Sequence, residues 1–278
     1  MSTALAFTYE GRDAALLQRV LPLVDYLEIT PDIFARRGPR SPQLDADVLA
    51  ELRELQRDKD IIVHGVGLSI GSHDRMSDGY LALLDQLFEH IDPAWHSEHL
   101  GYTTVGGEFL GTMLRLPRNA HTLDLVSERV TQIRQRYPMP FLLENVTALL
   151  PDPPGEFTPA QFLNALVAQT GCGLLLDIYN LECDAHNFRL DVNRFLDELD
   201  LSRVVEIHVA CGMEHLGYLL DVHSRRLRAS TLALLDRVRR RCVNLRAVTY
   251  EVMPEAVPVL GNDAIADQLA RLAEVVAD

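Results

Sequence analysis

Nine side chains of metal-ligating type fall at or just beyond the ends of short apolar runs: His64, His99, Glu144, Asp177, Asn180, His208, Asp221, His223 and Glu251. Imidazoles mixed with carboxylates are the usual protein ligands of zinc, iron and manganese. Taken singly, each has a plainer use. A buried carboxylate can be neutralised by arginine, and a lone histidine at a strand end can be a satisfied core residue or a general base. Lysine is nearly absent as a neutralising partner, since Lys59 is the chain's one lysine. The joint occurrence at corresponding places favours metal ligation. Asp221 and His223 add a D-x-H pair whose alternating geometry points both side chains the same way. A single catalytic zinc takes three protein ligands and keeps one open position. Four histidines with carboxylates and an Asn carbonyl instead suit two or three cations such as iron, manganese or zinc, with carboxylates bridging them.

The runs that carry these residues read ALAFTY, VDYLEIT, DIIVHGV, WHSEHL, FLLENV, GLLLDIY, VVEIHVA and AVTYEVM. FLLENV and GLLLDIY are almost continuously apolar, as strands buried on both faces must be. Helical periodicity separates them: Asp13 to Val24, Asp45 to Leu55, Ser77 to Ile91, Ala120 to Tyr137, Thr158 to Gln169, Asp191 to Leu199, Ser230 to Val243 and Asp263 to Val275. Thr158 followed by Pro159 marks a helix start, and Gly171 a helix end. Residues 102 to 119, with Gly106, Gly107 and Gly111, read as a β-hairpin or an excursion over the barrel mouth. Strict alternation of eight strands with eight helices predicts an α/β fold, a (β/α)8 TIM barrel with the metal site at the C-terminal mouth of its strands. The length of 278 residues suits one such domain over 1–278.

Composition bounds the function. Hydrophobic residues make up 47% and charged residues 24%, enough for a sizeable core. Forty acidic against 26 basic side chains give a formal charge of −14, which disfavours a nucleic-acid partner. The N-terminal MSTALAFTYEGRD lacks a signal-peptide pattern and no apolar window is long enough to span a bilayer, so no membrane partner and a cytoplasmic location are expected. Cys172, Cys183, Cys211 and Cys242 form no C-x-x-C pair, which argues against a zinc knuckle or disulfide framework. Gly65, Gly67 and Gly71 lack a Walker lysine and are read as turn-forming glycines beside His64. Cys211 is read as a small buried residue and Trp95 as packing at a strand start.

The ordered motifs LEITPDIF, HGVGLSIGS, SEHL, LLENV, TGCGLLLDIYN, the A-x-N of Ala185 to Asn187, EIHVA, D-x-H and a final YE resemble the multinuclear non-haem iron-dependent oxidative enzymes, the family of MbnB and TglH. The resemblance implies a TIM barrel with two or three irons in a mixed Fe(II)/Fe(III) state and O2 as co-substrate. It also implies a ribosomally made precursor peptide as substrate, modified on cysteine or another residue, and a small partner protein that recognises the peptide. Carried over by position, the nine residues above look like the metal shell, with Glu28, Asp32, Glu98 and Asn187 as polar support. No separate catalytic residue is implied beyond the metal centre. Phe188-Arg189 stands where relatives often carry His-Gly, Cys211 where Ala-Gly is usual, Val-Met follows Glu251 in place of Arg-Asp, and Asp32-Ile33 replaces Glu-Asn. The competing readings are a divalent-metal barrel of the sugar-isomerase or endonuclease-four type and a non-catalytic metal- or peptide-binding subunit. The negative charge weighs against the endonuclease version and the motif order against both barrel types, and the intact ligand set weighs against the non-catalytic subunit.

Overall fold

The computed structural model describes residues 3–11, 13–37, 42–152 and 155–277. Eight parallel strands close into a barrel: β1 (Ala4–Thr8), β2 (Tyr26–Ile29), β3 (Asp60–Gly65), β4 (His96–His99), β5 (Phe141–Glu144), β6 (Gly173–Asp177), β7 (Val204–Val209) and β8 (Ala247–Tyr250). Each strand pairs with its neighbours in chain order, and β8 closes on β1. Helices α1 (Ala14–Val20), α2 (Ala46–Leu55), α3 (Asp78–Phe88), α4 (Ala120–Arg136), α5 (Pro159–Thr170), α6 (Ile178–Phe188), α7 (Val192–Glu198) and α8 (Ala229–Arg239) lie between the strands in sequence, and α9 (Asn262–Ala277) follows β8. The expected TIM barrel is therefore the fold. Among the described residues no helix is long and apolar enough to cross a membrane.

The period of two along a strand sorts the barrel interior into layers. Ala6, Ile62, Trp95, Leu142, Leu175 and Ala247 form one apolar cluster at the lower level. Two residues further along the same strands come Thr8, His64, Ser97, Glu144, Asp177 and Thr249, all buried and all polar. The lower layer plugs the barrel, so the upper one opens only toward the mouth.

Register brings the functional residues level with one another. His64 pairs with Ser97, His99 with Glu144, and Asp177 with His208. The helix ends show the expected signals. Thr158 and Gln161 form a reciprocal capping box with Pro159 in the first turn, and α5 stops at Gly171 with φ of 67°.

One element departs from the expected alternation. The run GLLLDIY is not strand to its end: β6 stops at Asp177, whose Oδ1 accepts from the Asn180 N–H at 2.7 Å and so caps α6. Two helices, α6 and α7, thus follow β6 where one was expected. The Asp side chain competes for the backbone donor that a continued strand would have used.

Among the described residues, three antiparallel strand pairs follow barrel strands at the mouth. The 102–119 excursion is the expected hairpin, Gly101–Val105 paired with Glu108–Arg115. Ala35–Arg37 with Pro42–Leu44, and Met213–His215 with Tyr218–Leu220, are two more that the sequence did not announce. The last turns through Leu216 at φ 50° and Gly217 at φ 82°, so a leucine takes a left-handed position where Asn or Asp would signal a turn.

Arg115 at the base of the first hairpin ties it to the barrel. It donates to the Val146 carbonyl at 2.6 Å and pairs with Asp152 and with the buried Asp184 of α6. Asp184 also accepts from the Ala148 N–H at 2.9 Å, fixing the segment after β5. Arg115→Met would leave that buried carboxylate without its cation. Such a loss costs about 3 kcal/mol or more, and the urea unfolding midpoint should fall accordingly; an unchanged midpoint would show that the pair is not stabilising.

Candidate metal centre

Five carboxylates, Glu28, Glu144, Asp177, Asp221 and Glu251, and four imidazoles, His64, His99, His208 and His223, meet in the upper layer and mouth of the barrel, and a sixth carboxylate, Glu206, reaches His208 from the lower level, where it is in register with Leu175 and Ala247. Glu28, His64, Glu144, Asp177, Glu206 and His208 are essentially inaccessible to solvent. Among the described residues, none of the six carboxylates is ion-paired with Lys or Arg. The imidazoles take that place. With every imidazole protonated, six negative charges would still exceed four positive ones, which is unfavourable in a buried site unless protons are shared or cations enter.

Glu144 Oε2 lies 3.1 Å from both His64 Nε2 and His99 Nε2. Glu251 Oε2 lies 3.0 Å from His208 Nδ1, while its Oε1 lies 3.3 Å from His223 Nδ1. His223 in turn contacts Asp221 through Nε2 and sits at φ 38°, a strained backbone angle for a residue with a side chain. Three-residue groups with ligating atoms within 4.8 Å of one another overlap: His64–His99–Glu144, His64–His208–Glu251, Glu144–Asp177–His208 and Asp177–His223–Glu251. Glu144, Asp177 and Glu251 each belong to two of them, as bridging carboxylates would.

The histidines are held in fixed orientations. The His64 ring is 2.9 Å from Ser97 Oγ through Nδ1, and Ser97 donates onward to the Val63 carbonyl. His99 Nδ1–H donates to the Gly65 carbonyl at 2.9 Å. Both rings therefore present Nε2 to Glu144. Asn145 exchanges two 2.9 Å hydrogen bonds with the Asp177 backbone, and its own carbonyl accepts from Asn180 Nδ2 at 3.0 Å. That arrangement turns Asn180 Oδ1 and Asp177 Oδ2 into buried acceptors with no hydrogen-bond donor.

Protonation follows from crowding. Burial, reinforced by Asp221, Glu144 and Glu251, pushes the Asp177 carboxyl well above the usual carboxylate range. Burial raises Glu28 to about 8 against the pull of His208. For His208 and His223 burial works the other way, but the carboxylates facing them outweigh it and hold both well above an ordinary histidine. His64 is lowered, chiefly by burial.

These features fit a metal cluster. The buried orphan atoms Asp177 Oδ2 and Asn180 Oδ1 are both cation ligands by type, and an unfilled acceptor in a dry site is costly. The expected candidates Asp177, Asn180, Glu144, Glu251, Asp221 and the four histidines are thus brought together, and Glu28 touches His208 from below at 3.0 Å. Others lie elsewhere. Glu98 has the opposite strand parity and sits outside the barrel with Tyr80, both crowding Gly65: a Cβ there would stand 2.0 Å from Glu98 Oε1 and 2.1 Å from the Tyr80 hydroxyl. Asp32 accepts from the Val66 and Gly67 N–H groups at 3.2 Å, and a Cβ on Gly67 would stand 2.2 Å from its Oδ1, so these two glycines serve close approach. The Asn187 amide is committed to both backbone groups of Leu219 in the last hairpin. Cys211 is buried, as are the other three free cysteines. Sequence reasoning missed Glu206, Ser97 and Asn145; the E-x-H spacing of Glu206 and His208 on one strand was the available signal.

Comparison with known proteins agrees with this picture. A family profile described as "RiPP precursor modification enzyme MbnB/TglH/ChrH" matches residues 9–260. A UPF0276 protein of Anaeromyxobacter sp. is 34% identical over 258 residues, covering 93% of this chain and 87% of that protein. A UPF0276 protein of Caulobacter vibrioides is 31% identical, covering 80% and 77%. Among solved structures, the IOLI protein with a bound zinc atom superposes with a TM-score of 0.60 at 14% identity over 99% of this chain and 98% of that one. A D-psicose 3-epimerase gives 0.60 at 11% identity over the full length of both. At such identities these two share the fold.

Because ligands must lose their protons, metal uptake should displace protons from the raised His208 and His223. Zn2+ titrated into the metal-free chain at pH 7 should release protons, seen by calorimetry in buffers of different ionisation enthalpy, and affinity should fall as pH is lowered. Uptake independent of buffer and pH would contradict the assignment of these histidines.

Proposed function

The chain belongs to the MbnB/TglH/ChrH family of RiPP precursor modification enzymes, and from that premise we propose that it is an O2-dependent oxidoreductase with two or three irons at the barrel mouth. Its substrate is a ribosomally synthesised precursor peptide, modified on a cysteine, with a small partner protein that presents the peptide. The observation that carries the reading is the set of overlapping ligand groups that share Glu144, Asp177 and Glu251. One ion would leave most of these donors unused.

In this reading His64 and His99 offer Nε2 and Glu144 a carboxylate to one ion. His208, Asp177, Asn180, His223, Asp221 and Glu251 hold the remainder. Iron so bound would supply the redox chemistry, with oxygen as the oxidant. The protein's own part is to exclude water, fix ligand orientation and admit a polypeptide. Ser97, Gly65 and Asn145 do the orienting through the hydrogen bonds described above. The apolar plug beneath the site closes it from below.

The rim supports a peptide-sized substrate. Phe109 on the first hairpin, Leu150 after β5, and Leu216 and Tyr218 on the last hairpin are exposed apolar side chains on the loops that follow barrel strands. The outer edge of a two-stranded hairpin can also accept an extended chain as a further strand.

Protein isolated anaerobically from iron-replete cells should contain two or three irons per chain and consume oxygen only when a cysteine-containing precursor peptide is supplied. Glu144→Ala and Asp177→Ala should each lower the iron content by at least one ion, by elemental analysis. A single tightly bound zinc, with no gain in activity on iron loading, would overturn the reading.

A further inference from the structure

His208 differs from the other two ring ligands of the barrel wall. His64 and His99 are held through Nδ1 by neutral partners, Ser97 Oγ and the Gly65 carbonyl, and present Nε2. His208 is turned end for end. Its Nδ1 lies 3.0 Å from Glu251 and 4.0 Å from Glu144, on the mouth side, while its Nε2 lies 3.0 Å from Glu28 Oε2 and 3.5 Å from Glu206 Oε1. All three residues on the Nε2 side, Glu28, Glu206 and His208, are fully buried.

Glu206 is itself clamped. Trp95 Nε1–H donates to its Oε2 at 2.7 Å, and the Thr249 hydroxyl donates to its Oε1. Trp95 and Thr249 are also fully buried, and the Arg246 guanidinium lies 4.5 Å above the Trp95 ring. The carboxylate of Glu206 therefore has a donor on each oxygen. Glu28 has His208 on Oε2 and no partner on Oε1.

From this arrangement we infer that Glu28, backed by the clamped Glu206, is a positioning residue that keeps the His208 proton on Nε2 and leaves Nδ1 as the metal-binding nitrogen. An imidazole ligates through one nitrogen when the other carries hydrogen, and a carboxylate acceptor on that N–H fixes both tautomer and ring plane while making the ligand more basic. Glu28 comes from β2 and Glu206 from β7, so two separate strands define the plane of one ring. The inference rests on the metal-site reading above, and it adds a role for buried carboxylates beneath the ions. The ligating atoms of Glu28, Glu206 and His208 lie within 4.8 Å of one another, the spacing that a deeper ion of their own would use. Against that, Trp95 and Thr249 each donate to one Glu206 oxygen, which commits one lone pair of each and neutralises part of the charge a deeper ion would need.

The test uses Zn2+ as a diamagnetic probe on the full-length chain with 15N-labelled histidine. In the wild type, His208 should show a slowly exchanging Nε2–H and a metal-shifted Nδ1. A metal-shifted Nε2 would overturn the inference and point to the deeper ion. Glu28→Ala should weaken binding of one Zn2+ by about 10- to 100-fold, while Glu28→Gln, which keeps an acceptor oxygen, should recover most of the loss. Glu28→Ala binding as wild type, or Glu28→Gln failing as badly as Glu28→Ala, would also overturn it, the latter because it would make Glu28 a ligand. The wild-type spectrum keeps the inference testable should Glu28→Ala not fold. A wild-type chain that takes up no metal sinks the metal-site reading itself and this inference with it, an outcome distinct from variants that bind unchanged.

Discussion

Six carboxylates gathered inside a closed barrel without one Lys or Arg partner among the described residues are the constraint on which the rest depends. Glu206 sits level with the lower layer that plugs the barrel, the other five lie above it, and strands surround them, so water cannot screen their repulsion well. Imidazoles relieve part of it, at the cost of tautomers and ring planes that must be held by further hydrogen bonds. Cations relieve the remainder. The same excess of negative charge that would weaken a metal-free chain is what suits the mouth to cations.

Strand parity turns this chemical demand into architecture. Inward positions on β3, β5 and β6 carry an apolar residue at the lower level and a candidate ligand two residues later: Ile62 then His64, Leu142 then Glu144, Leu175 then Asp177. Because each strand obeys the same alternation, a register shift of one residue would replace the ligand by a core residue and face the ligand outward. The hairpins and helix α6 then act on the layer from above, with Asp184 and Arg115 locking the segment after β5 and Asn145 locking β6 to it.

The repeated pattern was legible from residues alone because strand ends are marked by abrupt change from apolar to ligating types. Local competition was less legible. Asp177 was readable as a strand-end ligand, yet its second use as a helix cap depends on one side-chain contact to Asn180, which apolar periodicity does not encode. Glu98 reads as polar support for the metal shell, although adjacent strand residues face opposite ways and it points outside the barrel, where its Oε1 lies 2.9 Å from His96 Nε2. Asn187 belongs to the family motif yet braces a hairpin whose turn, built on Leu216, carries no conventional turn residue before its glycine. Glu206 was overlooked because a glutamate early in a strand looks exposed until β7 is seen to point it inward.

The zinc-bound IOLI protein and a D-psicose 3-epimerase share a barrel with this chain at identities of 14% and 11%, so the fold does not decide the chemistry. The number of ions does. An anaerobic crystal structure of the iron-loaded chain, with anomalous data collected at the iron edge, counts and places them directly. The account predicts two or three iron peaks spanned by Glu144, Asp177 and Glu251, with His208 bound through Nδ1. One peak alone, or peaks away from these carboxylates, would contradict it.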